Sequence, residues 1–405
     1  MIVLTAFEAI PGAGTEAGLA WNWGKAYVAA GHNVTVLTSA GADSVKHAET
    51  WREAGMEVVF LGGTREARAP QTPRELFVVA RAFGIWSKAC REWLAGKTHN
   101  IAAVHHVSWG SVRLRPPFLI GDKELATVWG PLGGGQLAQF SGLLAKNRLH
   151  ELIRAASFPA GWVMRRADFM RYRRPTLALA TNLATLRYIK SIGIDRADTM
   201  LADGVQPEMI KPAATHRLNP DTIRLVWLGR MVASKRPDIA IDLVRQLEAK
   251  GISTVLSMIG DGPEKAALED HAKDLGVANR VNFVGRIPWE RTFDYYDKSD
   301  FLVFTSMRDS SCPAVLEAAA RGVPTLCLRH QGVEALVPDS VALGPSEFTT
   351  AGRLTADLAE RVEKFRERED DYRLASEKAI AFAKTQTWSR KVGKILASLE
   401  IDVSR

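Results

Sequence analysis

Residues 223–228, Ile-Arg-Leu-Val-Trp-Leu, form a short apolar run that ends on Gly229-Arg230, and this feature most constrains what the chain can fold into. An apolar run with a glycine turn behind it reads as a strand buried on both faces, as in a parallel sheet covered by helices. Residues 301–305 and 325–328 repeat the pattern, and between them Pro313 opens a helix that Gly322-Val323-Pro324 stops. The amino-terminal half begins likewise: a strand at 1–6, a glycine loop at 11–16, a helix at 19–30 ended by Gly31, and a strand at 34–38. Strands alternating with amphipathic helices in both halves imply two doubly wound α/β units. The 405 residues suffice for two cores of roughly 200 residues each. The joint falls near 201–205, ahead of a Pro-containing stretch that runs to Pro220.

Ligands of an open α/β sheet sit off the carboxyl ends of its strands, so the charged residues just past 228 and 305 are the site candidates. Arg230 offers a planar fork and Lys235 a flexible point charge. Together they suit a diphosphate whose charge grows as its bond to a sugar breaks. Asp309 follows the strand at 301–305, and Glu317 lies eight residues on, inside the helix opened by Pro313. The two carboxylates can accept hydrogen bonds from a hexose and a ribose. The loop of Ser310, Ser311 and Cys312 and the helix start at Pro313 present backbone N–H groups to a phosphate or to sugar hydroxyls. Taken singly, Asp309 also reads as a solvated loop acid and Glu317 as a helix-face carboxylate. The order of the motifs favours the ligand role.

Four segments carry a resemblance: Gly229-Arg230 to Lys235, Gly260-Asp261-Gly262-Pro263-Glu264, Val-Asn-Phe-Val-Gly-Arg-Ile at 281–287, and the acids Asp309 and Glu317 ahead of Gly322-Val323-Pro324. Together they resemble the retaining glycosyltransferases of family 4, which have the GT-B fold. The amino-terminal string at 12–38, with His-His-Val-Ser-Trp-Gly-Ser at 105–111 and Trp-Gly-Pro-Leu-Gly-Gly-Gly-Gln at 129–136, is similar to one subgroup of that family. The resemblance implies two Rossmann-like domains facing each other across a cleft. An acceptor-binding domain would span 1–203, completed by a helix at 387–405, and a donor-binding domain 204–386. It implies a donor site of Gly12, Gly14, Glu16, Gly229, Arg230, Lys235, Gly260, Gly262, Arg286, Ile287, Asp309, Ser310, Ser311, Cys312, Pro313 and Glu317, with the backbone near Gly285-Arg286-Ile287 reading uracil or guanine. It also implies transfer from a UDP- or GDP-sugar with retention, in which the leaving phosphate oxygen takes the acceptor's proton. Arg230 and Lys235 stand in for a metal, and no cofactor is expected. The family carries a His at an amino-terminal strand end. Here His105 and His106 end the apolar run 101–104, and either is a structural hydrogen-bonded residue or the imidazole that meets the sugar; His106 lies nearer the loop. The chain departs from the family where Asp309-Ser310-Ser311-Cys312 replaces Glu-Gly-Phe-Gly, the part that grips the donor sugar.

Net charge is unevenly spread. Residues 1–204 hold 24 Lys+Arg against 16 Asp+Glu, a surplus of +8, whereas 205–405 hold 29 against 29. Much of the excess lies at 146–174, where Lys146, Arg148, Arg154, Arg165, Arg166, Arg171, Arg173 and Arg174 face only Glu151 and Asp168, with Phe158, Trp162, Phe169 and Tyr172 interleaved. Such a stretch reads as lying on an anionic membrane surface. A solvated face is the plainer reading, and a nucleic-acid partner is disfavoured because no recognised module accompanies the arginines. The longest charge-free run, 125–145, is interrupted by Pro131 and three glycines, so it is not a spanning helix. The amino terminus lacks a basic n-region and reads as a first strand rather than a signal peptide. Cys90, Cys312 and Cys327 have no metal-like spacing and suit a cytoplasmic protein. Asp-x-Asp is absent and no ligand cluster has metal spacing. The remaining function classes are a nucleotide-sugar epimerase of the same fold and a non-catalytic two-domain sugar-binding protein. The first would need further acid/base carboxylates, and the second leaves the paired cations unexplained.

Overall fold

The computed structural model describes residues 1–14, 16–41, 45–62, 73–119, 124–136, 155–172, 174–212, 218, 221–307, 312–346 and 350–401, with 73–77 as backbone only. Asp309, Ser310 and Ser311 of the expected donor site lie outside the described residues, as do Lys146, Arg148, Glu151, Arg154 and Arg173 of the basic stretch. The chain divides into two compact units, one of Met1–Gln136, Ser157–Gly204 and Trp388–Arg405, the other containing Val205–Thr387.

The first unit is built on a parallel sheet of seven strands: β1 (Ile2–Ala6), β2 (Val34–Thr38), β3 (Met56–Phe60), β4 (Ala103–Ser108), β5 (Ala126–Leu132), β6 (Leu177–Ala180) and β7 (Ala197–Thr199). Their order is β3-β2-β1-β4-β5-β6-β7. Every residue of β1, β2 and β4 is buried, because helices cover both faces. On one face Trp23 of the helix Leu19–Ala29 meets Trp388 of the helix Trp388–Leu399 edge-on at 5.2 Å. On the other, Phe83 and Trp86 of the helix Pro73–Ala95 and Phe169 of the helix Phe158–Arg171 share a second core.

The second unit repeats the plan with β8 (Ile223–Leu228), β9 (Thr254–Ile259), β10 (Val281–Gly285), β11 (Phe301–Phe304), β12 (Thr325–Cys327) and β13 (Ala342–Leu343), all parallel, in the order β10-β9-β8-β11-β12-β13. The helix Asp238–Ala249 turns Ile239, Leu243, Val244 and Leu247 inward at helical spacing onto β8 and β9. Strand order reverses between β1 and β4 in the first sheet and between β8 and β11 in the second. In each sheet taken by itself, the carboxyl ends of that pair are where a doubly wound sheet accepts ligands.

Candidate active site

At the carboxyl end of β8 the chain turns at Gly229, whose N–H donates to Ile259 O at 3.0 Å, and beside it Gly260 N donates to Gly285 O at 2.9 Å. Met231 N then donates to Asp261 O (2.9 Å) and Glu264 N to Met231 O (3.2 Å), so the loops that leave β8 and β9 run in contact. A Cβ on Gly260 would stand 1.9 Å from Gly229 O, and one on Gly262 2.2 Å from Met231 O; Gly260 also has φ +124°. Only glycine fits where backbones approach this closely. Gly260 and Gly262 therefore shape the loop that carries Arg230.

Arg230 emerges from that loop exposed, and its guanidinium makes no hydrogen bond or ion pair among the described residues. Lys235 ends the turn Ala233–Lys235, and its carbonyl accepts from Thr305 Oγ1 at 2.7 Å. Thr305 Oγ1 in turn accepts from Trp227 Nε1 at 2.9 Å, while Met307 N donates to Ser234 O at 2.9 Å. A buried indole N–H is cheaper to bury with a partner, and here the one Trp227 finds ties the end of β11 to the turn after β8. Arg236 locks the far side of the turn at φ 45° with a forked pair to Asp238, Nη2 to Oδ2 at 2.7 Å and Nε to Oδ1 at 2.9 Å. The structure thus brings Gly229, Arg230, Lys235, Gly260 and Gly262 to one sheet end, next to the segment that leads into Asp309. The tie through Trp227 and Thr305 escaped the sequence reading; its one signal was a Trp inside a buried strand.

Cys312 is buried in left-handed backbone (φ 41°) at the amino cap of the helix Pro313–Ala320. Glu317 of that helix has both oxygens engaged, Oε1 by Trp289 Nε1 at 2.8 Å and Oε2 by Tyr296 OH at 3.1 Å. Burial pushes its carboxyl up from the ordinary range, against the pull of these two donors. Arg286, ahead of Ile287, is largely exposed and 3.6 Å from Asp261, a surface pair of little stabilising value.

In the first unit Gly12 takes φ +69° in the exposed loop after β1. Glu16 Oε1 accepts from Gly110 N at 2.9 Å, and Gly133 N donates to Gly110 O at 2.8 Å, which links the loops after β1, β4 and β5. Gln136, the last residue of the segment 129–136, holds the triple-glycine turn: its Oε1 accepts from Gly134 N (2.8 Å), Asn182 Nδ2 (3.1 Å) and Thr185 Oγ1 (3.2 Å).

The histidines require a correction. β4 continues to Ser108, so His105 and His106 lie within the strand and not at its end, and they are 0% and 1% exposed on opposite faces. His105 Nε2 donates to Gly130 O at 2.6 Å and Nδ1 accepts from Tyr27 OH at 3.1 Å. His106 Nδ1 donates to Thr5 O at 3.1 Å, with Thr5 Oγ1 3.0 Å away and the rings of Phe83 and Trp86 beside it. Burial lowers them to about 3 and about 4, so both imidazoles are neutral. The run 101–104 suggested too short a strand because a His pair looks polar, whereas here each ring is satisfied by a carbonyl.

The basic stretch is corrected in part as well. Arg165 is 3% exposed and faces Asp168, Phe169 packs on Trp129 at 5.3 Å, and Trp162 Nε1 donates to Ser191 Oγ at 2.9 Å. Three side chains read as facing outward are therefore engaged with the fold. The outward face of the helix Phe158–Arg171 carries Val163 (59% exposed), Met164 (60%) and Met170 (77%) instead, beside Arg171. Among the described residues no group of three or more His, Cys, Asp or Glu could hold a metal ion, and no helix is long and apolar enough to cross a membrane.

Solved structures match this arrangement along almost the whole chain. Sucrose-phosphate synthase from Thermosynechococcus elongatus is 15% identical, with 98% of each chain covered and a TM-score of 0.66. HepE from Anabaena, in complex with UDP, is 16% identical over 98% of this chain and 100% of its own, with a TM-score of 0.62. The fold is GT-B. Within this GT-B chain, residues 211–382 match the model of the family described as glycosyl transferases group 1. A phosphatidylinositol N-acetylglucosaminyltransferase component of Arabidopsis thaliana is 27% identical over 144 residues, 36% of this chain and 32% of that protein. The GDP-mannose-dependent alpha-(1-6)-phosphatidylinositol monomannoside mannosyltransferase of Mycolicibacterium smegmatis is 27% identical over 256 residues, 56% of this chain and 65% of its own length. The chain thus spans less than two thirds of either relative.

Proposed function

We propose that this GT-B protein is a retaining glycosyltransferase of family 4 type that moves a hexose from a nucleoside-diphosphate sugar to a glycan or lipid-linked acceptor. The observation that carries the proposal is the cation pair Arg230 and Lys235, set at the strand-order reversal of the second sheet by two glycine contacts and the Trp227–Thr305 tie. Fixed positive charge aimed at a leaving diphosphate stabilises the transition state more than the ground state. In this reading the bond from the anomeric carbon to the phosphate oxygen breaks as the acceptor oxygen bonds the same face, and the acceptor's proton passes to the departing phosphate. No protein nucleophile or general base is required. The relatives support a donor of this class, since one is GDP-mannose-dependent and the HepE structure holds UDP. Incubation with radiolabelled UDP- and GDP-sugars is expected to release nucleoside diphosphate in step with a new α- or β-glycoside matching the donor's anomeric configuration. An inverted product, or an epimerised nucleotide sugar, would overturn the reading.

The diphosphate charge is met by the two side chains and backbone dipoles, so we expect turnover to survive EDTA. Turnover abolished by EDTA and restored by Mn²⁺ or Mg²⁺ would remove the metal-free mechanism.

We further propose that the protein acts in the cytoplasm, in peripheral contact with an anionic membrane through the helix Phe158–Arg171. Its exposed Val163, Met164 and Met170 with the neighbouring Arg166, Arg171 and Arg174 form the apolar and basic surface such contact uses. Each basic residue near an anionic surface contributes about 1 kcal/mol, so replacing all three arginines by Ser is expected to weaken vesicle binding by about two decades. Flotation with anionic vesicles at low salt measures it, and binding by the triple variant as tight as wild type would refute the assignment.

A further inference from the structure

Between the helices Pro73–Ala95 and Phe158–Arg171 lies a cluster that the donor chemistry does not use. Arg165 Nη1 is 2.9 Å from Asp168 Oδ2, and Arg115 Nε is 3.2 Å from Asp168 Oδ1. Neither approach has hydrogen-bond geometry, so Nε and Nη1 of Arg165 and Nε of Arg115 are buried with no hydrogen-bond partner among the described residues. Arg91 joins from the facing helix: its Nη1 donates to Ser87 Oγ at 2.7 Å, and Ser87 Oγ donates to Arg115 O at 3.5 Å. The Arg115 guanidinium lies over the Tyr172 ring at 5.1 Å. Burial and the Arg115 charge both act on Arg91, and Asp168 pulls the other way. Two guanidiniums therefore share a single carboxylate, and a third lies within reach of its charge.

A guanidinium held 97% out of water with unmade N–H bonds is costly unless something supplies the acceptors. We propose that Arg91, Arg115 and Arg165 form a binding site for a phosphate group. One carboxylate leaves two positive charges uncompensated, which a phosphomonoester dianion neutralises, and its oxygens accept from several planar forks at once. Asp168 holds Arg115 and Arg165 in place against each other. The phosphate belongs either to a lipid headgroup, for which Val163, Met164 and Met170 on the same helix provide the apolar neighbour, or to a free anion. The site stands without the glycosyltransferase reading, which enters only in making a lipid acceptor that bears a phosphomonoester one natural occupant.

The experiment uses the full chain with inorganic phosphate, against chloride at equal ionic strength, in wild type and in Arg230→Ala, where the proposed donor clamp is removed. Phosphate is expected to raise the melting temperature in both, in proportion to the logarithm of its concentration above the dissociation constant. Arg91→Gln and Arg115→Gln, whose side chains are partly exposed and whose folding is checked by circular dichroism, are expected each to weaken phosphate binding at least tenfold. Lys88→Gln, an exposed change on the helix Pro73–Ala95 away from the cluster, is expected to leave it unaltered. No phosphate effect in wild type, or an effect that persists in both arginine variants, would overturn the site; an effect lost only in Arg230→Ala would place it at the donor clamp and overturn it equally. Flotation with phosphatidylcholine vesicles containing phosphatidic acid then separates the sources. Binding that inorganic phosphate competes away assigns the site to a headgroup, and vesicle binding indifferent to phosphate assigns it to the free anion.

Discussion

Arg230→Ala is expected to lower turnover by about two to three decades, or about 3–4 kcal/mol, while leaving the melting temperature where it was. The two halves of that expectation come from different observations. The guanidinium is exposed and makes no ion pair among the described residues, so its loss removes no folded-state contact. Its loop is fixed by the contacts of Gly229, Gly260 and Gly262 and by the Trp227–Thr305 tie, none of which uses the guanidinium, so the loop keeps its shape without it. A cation that holds nothing in the fold yet sits at the ligand end of the sheet is, under the proposed function, expected to act on what binds there. Under the proposed donor chemistry the diphosphate gains charge only as the sugar departs, so the loss is expected to fall mainly on kcat and less on KM. Single-turnover kinetics with labelled donor measure the split, and turnover within a factor of about three of wild type would remove Arg230 from the reaction.

The second large effect is on stability in mild acid. His105 and His106 are held neutral, at about 3 and about 4, whereas in the unfolded chain each titrates near the ordinary value of about 6.5. Above that value neither state binds the protons and the full stability is present. As pH falls below about 6.5 the unfolded chain takes up two protons that the folded chain refuses, so stability declines, by about 1.4 kcal/mol per pH unit for each His. The decline continues until pH reaches the folded values, and by pH 4.5 it amounts to several kcal/mol for the pair, on the order of 5. Denaturant titrations of wild type and of a His105→Gln, His106→Gln variant across pH 7 to 4.5 measure it. The variant's stability is expected to fall less steeply by about two protons' worth of slope. Equal slopes would mean that the imidazoles are not the acid-sensitive groups.

Much of this molecule was legible in its sequence because parallel strands buried on both faces leave an unambiguous mark. Residues 223–228 and 34–38 were bounded as the structure has them, and Pro313 opens its helix at the expected place. What escaped the sequence depends on partners far along the chain. Nothing near Glu317 announces that Trp289 and Tyr296 will take its two oxygens, and nothing near Arg165 announces Arg91 and Arg115. In sequence the basic stretch reads as one surface, because a count of charge carries no information on burial. A helix sorts its residues by angle, so Arg165 and Phe169, four apart, went inward while Met164 and Met170 went out. His105 and His106 mislead for a related reason, since polarity suggests a strand end unless a carbonyl such as Gly130 O satisfies the ring.

The helix Trp388–Leu399 closes the first unit although nearly two hundred residues of the second unit intervene. Its Trp388, Val392, Ile395 and Leu396 complete the core that Trp23 and Tyr27 begin. On a ribosome, all six strands of the second unit come from one stretch, residues 223–343, so its sheet can form as soon as that stretch has emerged. The first unit, begun earlier, must keep the indole of Trp23 uncovered until residue 388 is made. Closing a loop of that length adds little to the equilibrium cost, because the entropy grows only with the logarithm of length. Its effect is on timing: for most of synthesis the first unit is the part with an unfinished, sticky face, and it is there that a chaperone or a premature neighbour would first take hold.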